Sequence, residues 1–182
     1  MLYVEKGIPA HAFELAFKLK ESDKYELAIM GHDPLTALTN VFRYSRKGIR
    51  TYTVFEEDKV LAMFGVVSEE KNQKRGAVWF LSTDFTKKQW SYFLKRNKKW
   101  TEFFLSDYEY VANLVPEDNK NTIKWLKWQG FSFNTKSILV KGVKLLYFYK
   151  KIHKVSNGIQ PVLDDIGPLW TTDGKLKRTT VI

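Results

Sequence analysis

Apolar and polar positions alternate along this chain with two different periods, and the switch between them marks the elements. After Pro9, the segment from Ala10 to Lys20 sets Phe13, Ala16, Phe17 and Lys20 at helical spacing, and Asp33-Pro34 opens a second helix through Leu35, Leu38, Val41 and Phe42. The period then falls to that of strands. Ile49 to Phe55 and Val60 to Val67 are β-branched and aromatic runs on either side of Glu56-Glu57-Asp58, which predicts a hairpin, and Ala77 to Leu81 predicts a third strand. Thr86 and Gln89 form a capping box. It starts a long helix whose apolar side carries Trp90, Phe93, Leu94, Phe103 and Phe104, reaching about Leu105, and whose other side carries Lys87, Lys88, Lys95, Lys98 and Lys99. A strand over Tyr110–Val115, a helix over Glu117–Gln129 stopped by Gly130, and strands near Phe131–Phe133 and Ser137–Tyr149 complete the order α-α-β-β-β-α-β-α-β-β.

A strand, helix, strand succession in the middle requires a parallel pair bridged by a helix, so the class is α/β, a mixed central sheet flanked by helices. The composition changes after Val155. Ser156-Asn157-Gly158, Pro161, Gly167-Pro168 and Asp173-Gly174 punctuate a stretch that offers few residues to a core. Residues 1–154 are therefore expected to form the domain and 155–182 an extended C-terminal arm, with Leu163, Ile166, Leu169 and Trp170 as the anchors through which it would dock.

The chain is 44% hydrophobic and 15% aromatic, a composition that folds, and its lack of cysteine excludes disulfides, thiolate metal sites and cysteine nucleophiles. His11, His32 and His153 show no ligand spacing, so no metal is expected. No apolar run reaches the length of a membrane span, and the opening residues do not read as a signal peptide. The formal net charge is +10, yet it is unevenly placed. Residues 1–119 carry 18 basic and 17 acidic side chains, whereas residues 120–154 carry nine lysines and no acid. The basic face expected from this is Lys120, Lys124, Lys127, Lys141 and Lys144. Lysine is a point charge without the fork that reads bases or clamps phosphate, so it favours solvation, an acidic partner or non-specific contact with DNA over sequence reading.

The most specific local pattern is Asn119-x-x-Thr122-x-x-x-Leu126-x-x-x-Gly130-Phe131, a short helix after a strand. It resembles the last conserved motif of the GCN5-related N-acetyltransferases (GNAT), and the order of elements through about residue 150 fits that fold. The stretches 28–35, 60–67, 79–84 and 125–131 are more closely similar to an acetyltransferase-like internal virion protein family of short-tailed phages. The resemblance implies a GNAT-like sheet with Asn119 as the residue in line for coenzyme contact.

Two departures bear on activity. GNAT members hold coenzyme A pyrophosphate on an Arg/Gln-x-x-Gly-x-Gly/Ala turn, where glycine lets backbone N–H groups approach phosphate at a helix N-terminus. Here the turn reads Leu81-Ser82-Thr83-Asp84-Phe85-Thr86, with no glycine and with a carboxylate where an anion would arrive. Leu126 stands where the family has a tyrosine able to protonate the leaving thiolate. A general base such as Glu109 or Glu56 is not selected by any pattern. The expectation is a virion-associated structural or ejected phage protein on a degenerate acetyltransferase fold, with no cofactor, other virion proteins as partners, and the virion or host cytoplasm as its place. The alternatives are an acetyl-CoA-dependent N-acetyltransferase, with catalytic residues unassigned, and a sequence-independent nucleic-acid binder.

Overall fold

The computed structural model describes residues 2–44, 50–69 and 71–152. The arm anchors Leu163, Ile166, Leu169 and Trp170 lie outside the described residues, as does the 154/155 boundary. In chain order the elements are β1 (Leu2–Lys6), α1 (Pro9–Ala16), α2 (Glu21–Ile29), α3 (Pro34–Tyr44), β2 (Arg50–Glu56), β3 (Lys59–Ser68), β4 (Arg75–Ser82), α4 (Lys87–Leu105), β5 (Tyr110–Pro116), α5 (Lys120–Trp128), β6 (Ser132–Val140) and β7 (Val143–Lys151). These seven strands form one sheet in the order β1-β2-β3-β4-β5-β7-β6. Among the described residues only β4 and β5 run parallel, bridged by α4 as the element order requires.

Three expectations need correction. The opening strand β1 pairs antiparallel with β2, Val4 opposite Val54; five residues at a chain end are too short for their period to stand out. The first helix does not run to Lys20. It ends at Ala16, Leu19 turns into the core at 3% exposure, and the Lys20 N–H leaves for the carbonyl of Ser82 at the end of β4, so a separate α2 begins at Glu21. The stretch from Ser137 to Tyr149 is not one strand either. A two-residue turn at Lys141-Gly142, both at positive φ, folds it into the β6–β7 hairpin.

Two apolar layers sandwich the sheet. On one face α1 and α3 place Ala12, Leu15 and Leu38 against Phe55, Val60 and Met63. On the other, α4 and α5 place Phe93, Leu105, Ile123 and Leu126 against Val54, Phe64, Val111 and Phe148. The capping box at the start of α4 forms as expected: the Thr86 N–H donates to Gln89 Oε1 (2.7 Å) and the Gln89 N–H to Thr86 Oγ1 (3.2 Å). Gly130 ends α5 at φ +82, the left-handed conformation that its place in the motif requires. Replacing it with alanine should cost about 1–2 kcal/mol, because the left-handed region penalises a Cβ; a urea midpoint equal to that of the parent chain would contradict this.

Candidate functional site, a fork in the sheet

β4 and β5 pair through only three residues each, Arg75–Ala77 with Tyr110–Ala112, and beyond Ala77 and Ala112 the ladder stops. The strands part into a cleft of about 1780 Å³ whose walls come from β4 and β5, with α2 and α3 on one side and α4 and α5 on the other. Parting strands expose backbone N–H and C=O groups that must find other partners.

At the crotch those partners come from one side chain. Asn113 Nδ2 donates to the Val78 carbonyl (2.8 Å), and the Leu114 N–H donates to Asn113 Oδ1 (2.8 Å). The carboxamide thus stands in for a missing rung of the ladder. Asn113→Ala should therefore cost about 1–3 kcal/mol, the penalty for stranding partly buried polar groups, and should speed amide exchange at Leu114; exchange as slow as in the parent chain would refute the bridging role.

The far end of β4 is closed by α2. The Ser82 N–H donates to Asp23 Oδ2 (2.8 Å), the Lys20 N–H donates to the Ser82 carbonyl (3.0 Å), and Lys20 Nζ lies 3.3 Å from Asp23 Oδ1. One turn along α2, Glu26 Oε1 accepts from Asn119 Nδ2 (2.5 Å), while Asn119 Oδ1 caps α5 by accepting from the Thr122 N–H (3.1 Å). Asn119 consequently ties α5 to α2 across the mouth of the fork. Burial raises the carboxyl of Asp23 above its ordinary range despite Lys20 and the Ser82 N–H. Burial also pushes Glu26 up to about 7, reinforced by the charges of Asp23 and Asp118 and opposed by the Asn119 hydrogen bond and Lys20.

The turn from Leu81 to Thr86 is the place where a pyrophosphate would be held, and three of its backbone donors are engaged. The Ser82 N–H is on Asp23, the Thr83 N–H on the Leu61 carbonyl (2.8 Å) and the Thr86 N–H on Gln89. Asp84 is exposed beside them, and Phe85 turns inward, its ring 5.1 Å from Trp90 and 5.8 Å from Phe93. The residues present do not fit a pyrophosphate. Leu126, at the position of the family's tyrosine, is buried at 4% exposure in the core.

The expected basic face is spread over two elements. Lys120, Lys124 and Lys127 are exposed on α5, and Lys141 and Lys144 on the β6–β7 hairpin. Lys120 Nζ donates to the Glu117 carbonyl (2.6 Å), Lys141 Nζ to the Ala28 carbonyl at the end of α2 (3.1 Å), and Lys127 lies over the Phe133 ring at 5.7 Å. Lys124 lines the cleft. Trp125 is half-buried against Phe80 (5.5 Å), whereas Trp128, three residues further along α5, is 51% exposed at the cleft. Glu109 pairs with Lys74 (2.7 Å) and Glu56 accepts from Gln89 (2.7 Å); neither lines the cleft. Glu26, Asp23 and Asn113 were not singled out by sequence reasoning. The first two act on partners 93 and 59 residues away, and only Asn113 left a local signal, one polar residue inside the apolar run Val111-Ala112-Asn113-Leu114-Val115.

A sheet whose one parallel pair splays, with helices on both faces, is the acetyltransferase architecture, and this chain has the GNAT-like fold. Solved structures share it over their whole length at low identity. They include a GNAT-family acetyltransferase from Streptococcus pneumoniae (TM-score 0.55, 12% identity, covering 84% of this chain and 100% of that one) and Ard1 from Thermoplasma volcanium (TM-score 0.60, 9% identity, 84% and 99%). An acetyltransferase from Thermus thermophilus is similar too (TM-score 0.55, 14% identity, 84% and 97%). In sequence, residues 57–137 match the family described as "Bacteriophage T7, probable scaffold protein Gp13". That span runs from the β2–β3 turn into β6 and contains the fork, the Leu81–Thr86 turn and α5. No curated protein matches the chain in sequence. Among the described residues no helix is long and apolar enough to cross a membrane, and no group of His, Asp or Glu is arranged to hold a metal.

Proposed function

We propose that the chain is a structural component associated with a phage virion, in which the acetyltransferase fold serves as a scaffold and carries no coenzyme. The observation that carries this reading is the state of the Leu81–Thr86 turn: within the span that matches a phage scaffold family, the N–H groups of Ser82, Thr83 and Thr86 are held by the chain's own oxygens. Phosphate could displace them only by breaking bonds each worth about 0.5–1.5 kcal/mol net, and more for the one to the Asp23 carboxylate. Its partners in this reading are other virion proteins, with non-specific contact to DNA through the exposed lysines of α5 and the β6–β7 hairpin, and its place is the particle or the infected cell. Mass spectrometry of purified particles should find the chain at a fixed copy number, and its absence from them would overturn the proposal.

One observation favours a second reading, an acetyl-CoA-dependent N-acetyltransferase. A carboxyl group pushed up to about 7 in an open cleft, as Glu26 is, has the proton affinity of a general base working at neutral pH. In that reading Glu26 would accept the proton of an amine entering from the α2 side. Calorimetry with acetyl-CoA separates the two. The scaffold reading expects no heat; micromolar binding would favour the enzyme and make Glu26→Gln the next variant to assay.

A further inference from the structure

The cleft is larger than the roughly 300–1,000 Å³ of pockets that enclose a small molecule, and polar atoms on its walls lack partners. The indole N–H groups of Trp79 and Trp125 and the Oε1 of Gln129, a residue 2% exposed, are buried without a hydrogen bond. Those atoms are closed off from the cleft, whereas its open walls are mainly apolar and aromatic, a surface that apolar side chains of a peptide segment would cover. We infer that the occupant of the cleft is the chain's own C-terminal segment Leu163–Trp170.

Three further observations select that segment. The first is proximity. The described chain leaves the sheet at Ile152, whose N–H donates to the Glu109 carbonyl (2.9 Å) beside the start of β5. The fork begins at Ala112, about 10 Å further along the strand at 3.3 Å per residue, whereas residues 153–162 can span up to about 33 Å. The second is composition, since Leu163, Ile166, Leu169 and Trp170 gather three large aliphatic side chains and the one aromatic residue after Val155 within eight positions, and they suit walls of Trp79, Phe80, Leu114 and Trp128. The third is charge. Asp164 and Asp165 lie between Leu163 and Ile166, and the cleft is lined by the cations Arg43 and Lys124, while its carboxylates Asp23 and Glu26 are engaged with Lys20, Ser82 and Asn119. A short tether supplies an effective concentration of order millimolar, so even a weak contact would be occupied. This inference does not depend on the virion reading, since either a scaffold or an enzyme could hold its own tail.

The absence of cysteine allows a direct test on the full chain. Bimane on Trp170→Cys should be quenched several-fold by the cleft tryptophans relative to bimane on Val181→Cys, and the quenching should survive dilution. Equal emission from the two labels would overturn the inference, and quenching lost on dilution would seat the segment in a second copy instead. Location is read separately by hydrogen exchange. Replacing Leu163, Ile166, Leu169 and Trp170 with serine together should speed exchange several-fold at the amides of Phe80 and Leu114; unchanged exchange there would place the segment elsewhere and also overturn the inference.

Discussion

Gly65→Ala should abolish stable folding. A Cβ at this position would lie 2.0 Å from the Arg50 carbonyl oxygen, 3.0 Å from its carbon and 3.1 Å from the Thr51 Cα. All three are backbone atoms of β2, so no side chain can rotate away. Gly65 sits in the middle of β3, opposite Thr51 on β2 and Trp79 on β4, and moving β2 aside would break its register with both β1 and β3. Ordinary overpacking costs about 1–3 kcal/mol. A clash with the backbone of a neighbouring strand inside the sheet belongs to the exceptional class above about 4 kcal/mol, which is comparable to the whole stability of a domain. The control is Gly142→Ala: that glycine is at φ +80 in open space, so its replacement meets only the left-handed penalty of about 1–2 kcal/mol. Circular dichroism and urea unfolding of the two variants test the contrast. A Gly65→Ala chain with the midpoint of Gly142→Ala would mean that β2 yields where its backbone says it cannot.

The need for glycine at position 65 comes from a neighbouring strand, and the same divide between local and tertiary causes decides what a sequence reveals about this fold. Helical and strand periods identified α3, α4, β2, β3 and β5 because each is long enough to repeat, the helices with an apolar stripe and the strands with near-continuous β-branched and aromatic runs. The break between α1 and α2 carried no glycine or proline to mark it; it exists because Leu19 is buried and Lys20 bonds β4, which is a tertiary cause. The same distinction runs through the site. Asn119 and Gly130 were legible because a helix cap and a left-handed helix stop are local chemistry with fixed residue types, and the missing glycines of the Leu81–Thr86 turn were legible as a departure from a pattern. Glu26 and Asp23 lay in Glu21-Ser22-Asp23-Lys24-Tyr25-Glu26, a stretch that reads as a solvated helix face. Their significance comes from α2 crossing the fork, which no local period encodes.

Glu26→Gln should stabilise the protein above neutral pH and leave it little changed in acid. In the folded chain the Glu26 carboxyl is pushed up to about 7, first by burial and then by the charges of Asp23 and Asp118; in the unfolded chain it ionises near its ordinary 4.5. Between those values the folded state keeps a proton that the unfolded state has released, so the contribution of this group to stability declines as pH rises through the window and is level above about 7. At about 1.4 kcal/mol per unit, the full span is at most about 3 kcal/mol. Glutamine keeps an oxygen for Asn119 Nδ2 to donate to and carries no charge, so the latch between α2 and α5 is retained without the cost of ionising it. The stability advantage of Glu26→Gln should therefore grow from pH 5 to pH 7 and then stay constant, worth about 2–4 °C in melting temperature for each kcal/mol in a domain of this size. Asp23, whose carboxyl is also raised by burial, titrates in both chains, so the difference between them isolates Glu26 to the extent that the two carboxyls act separately. Urea unfolding at a series of pH values reads this difference directly. An advantage as large at pH 5 as at pH 8 would show that the Glu26 carboxyl ionises in the fork at its ordinary value, and with it would go the one observation that favours a general base there.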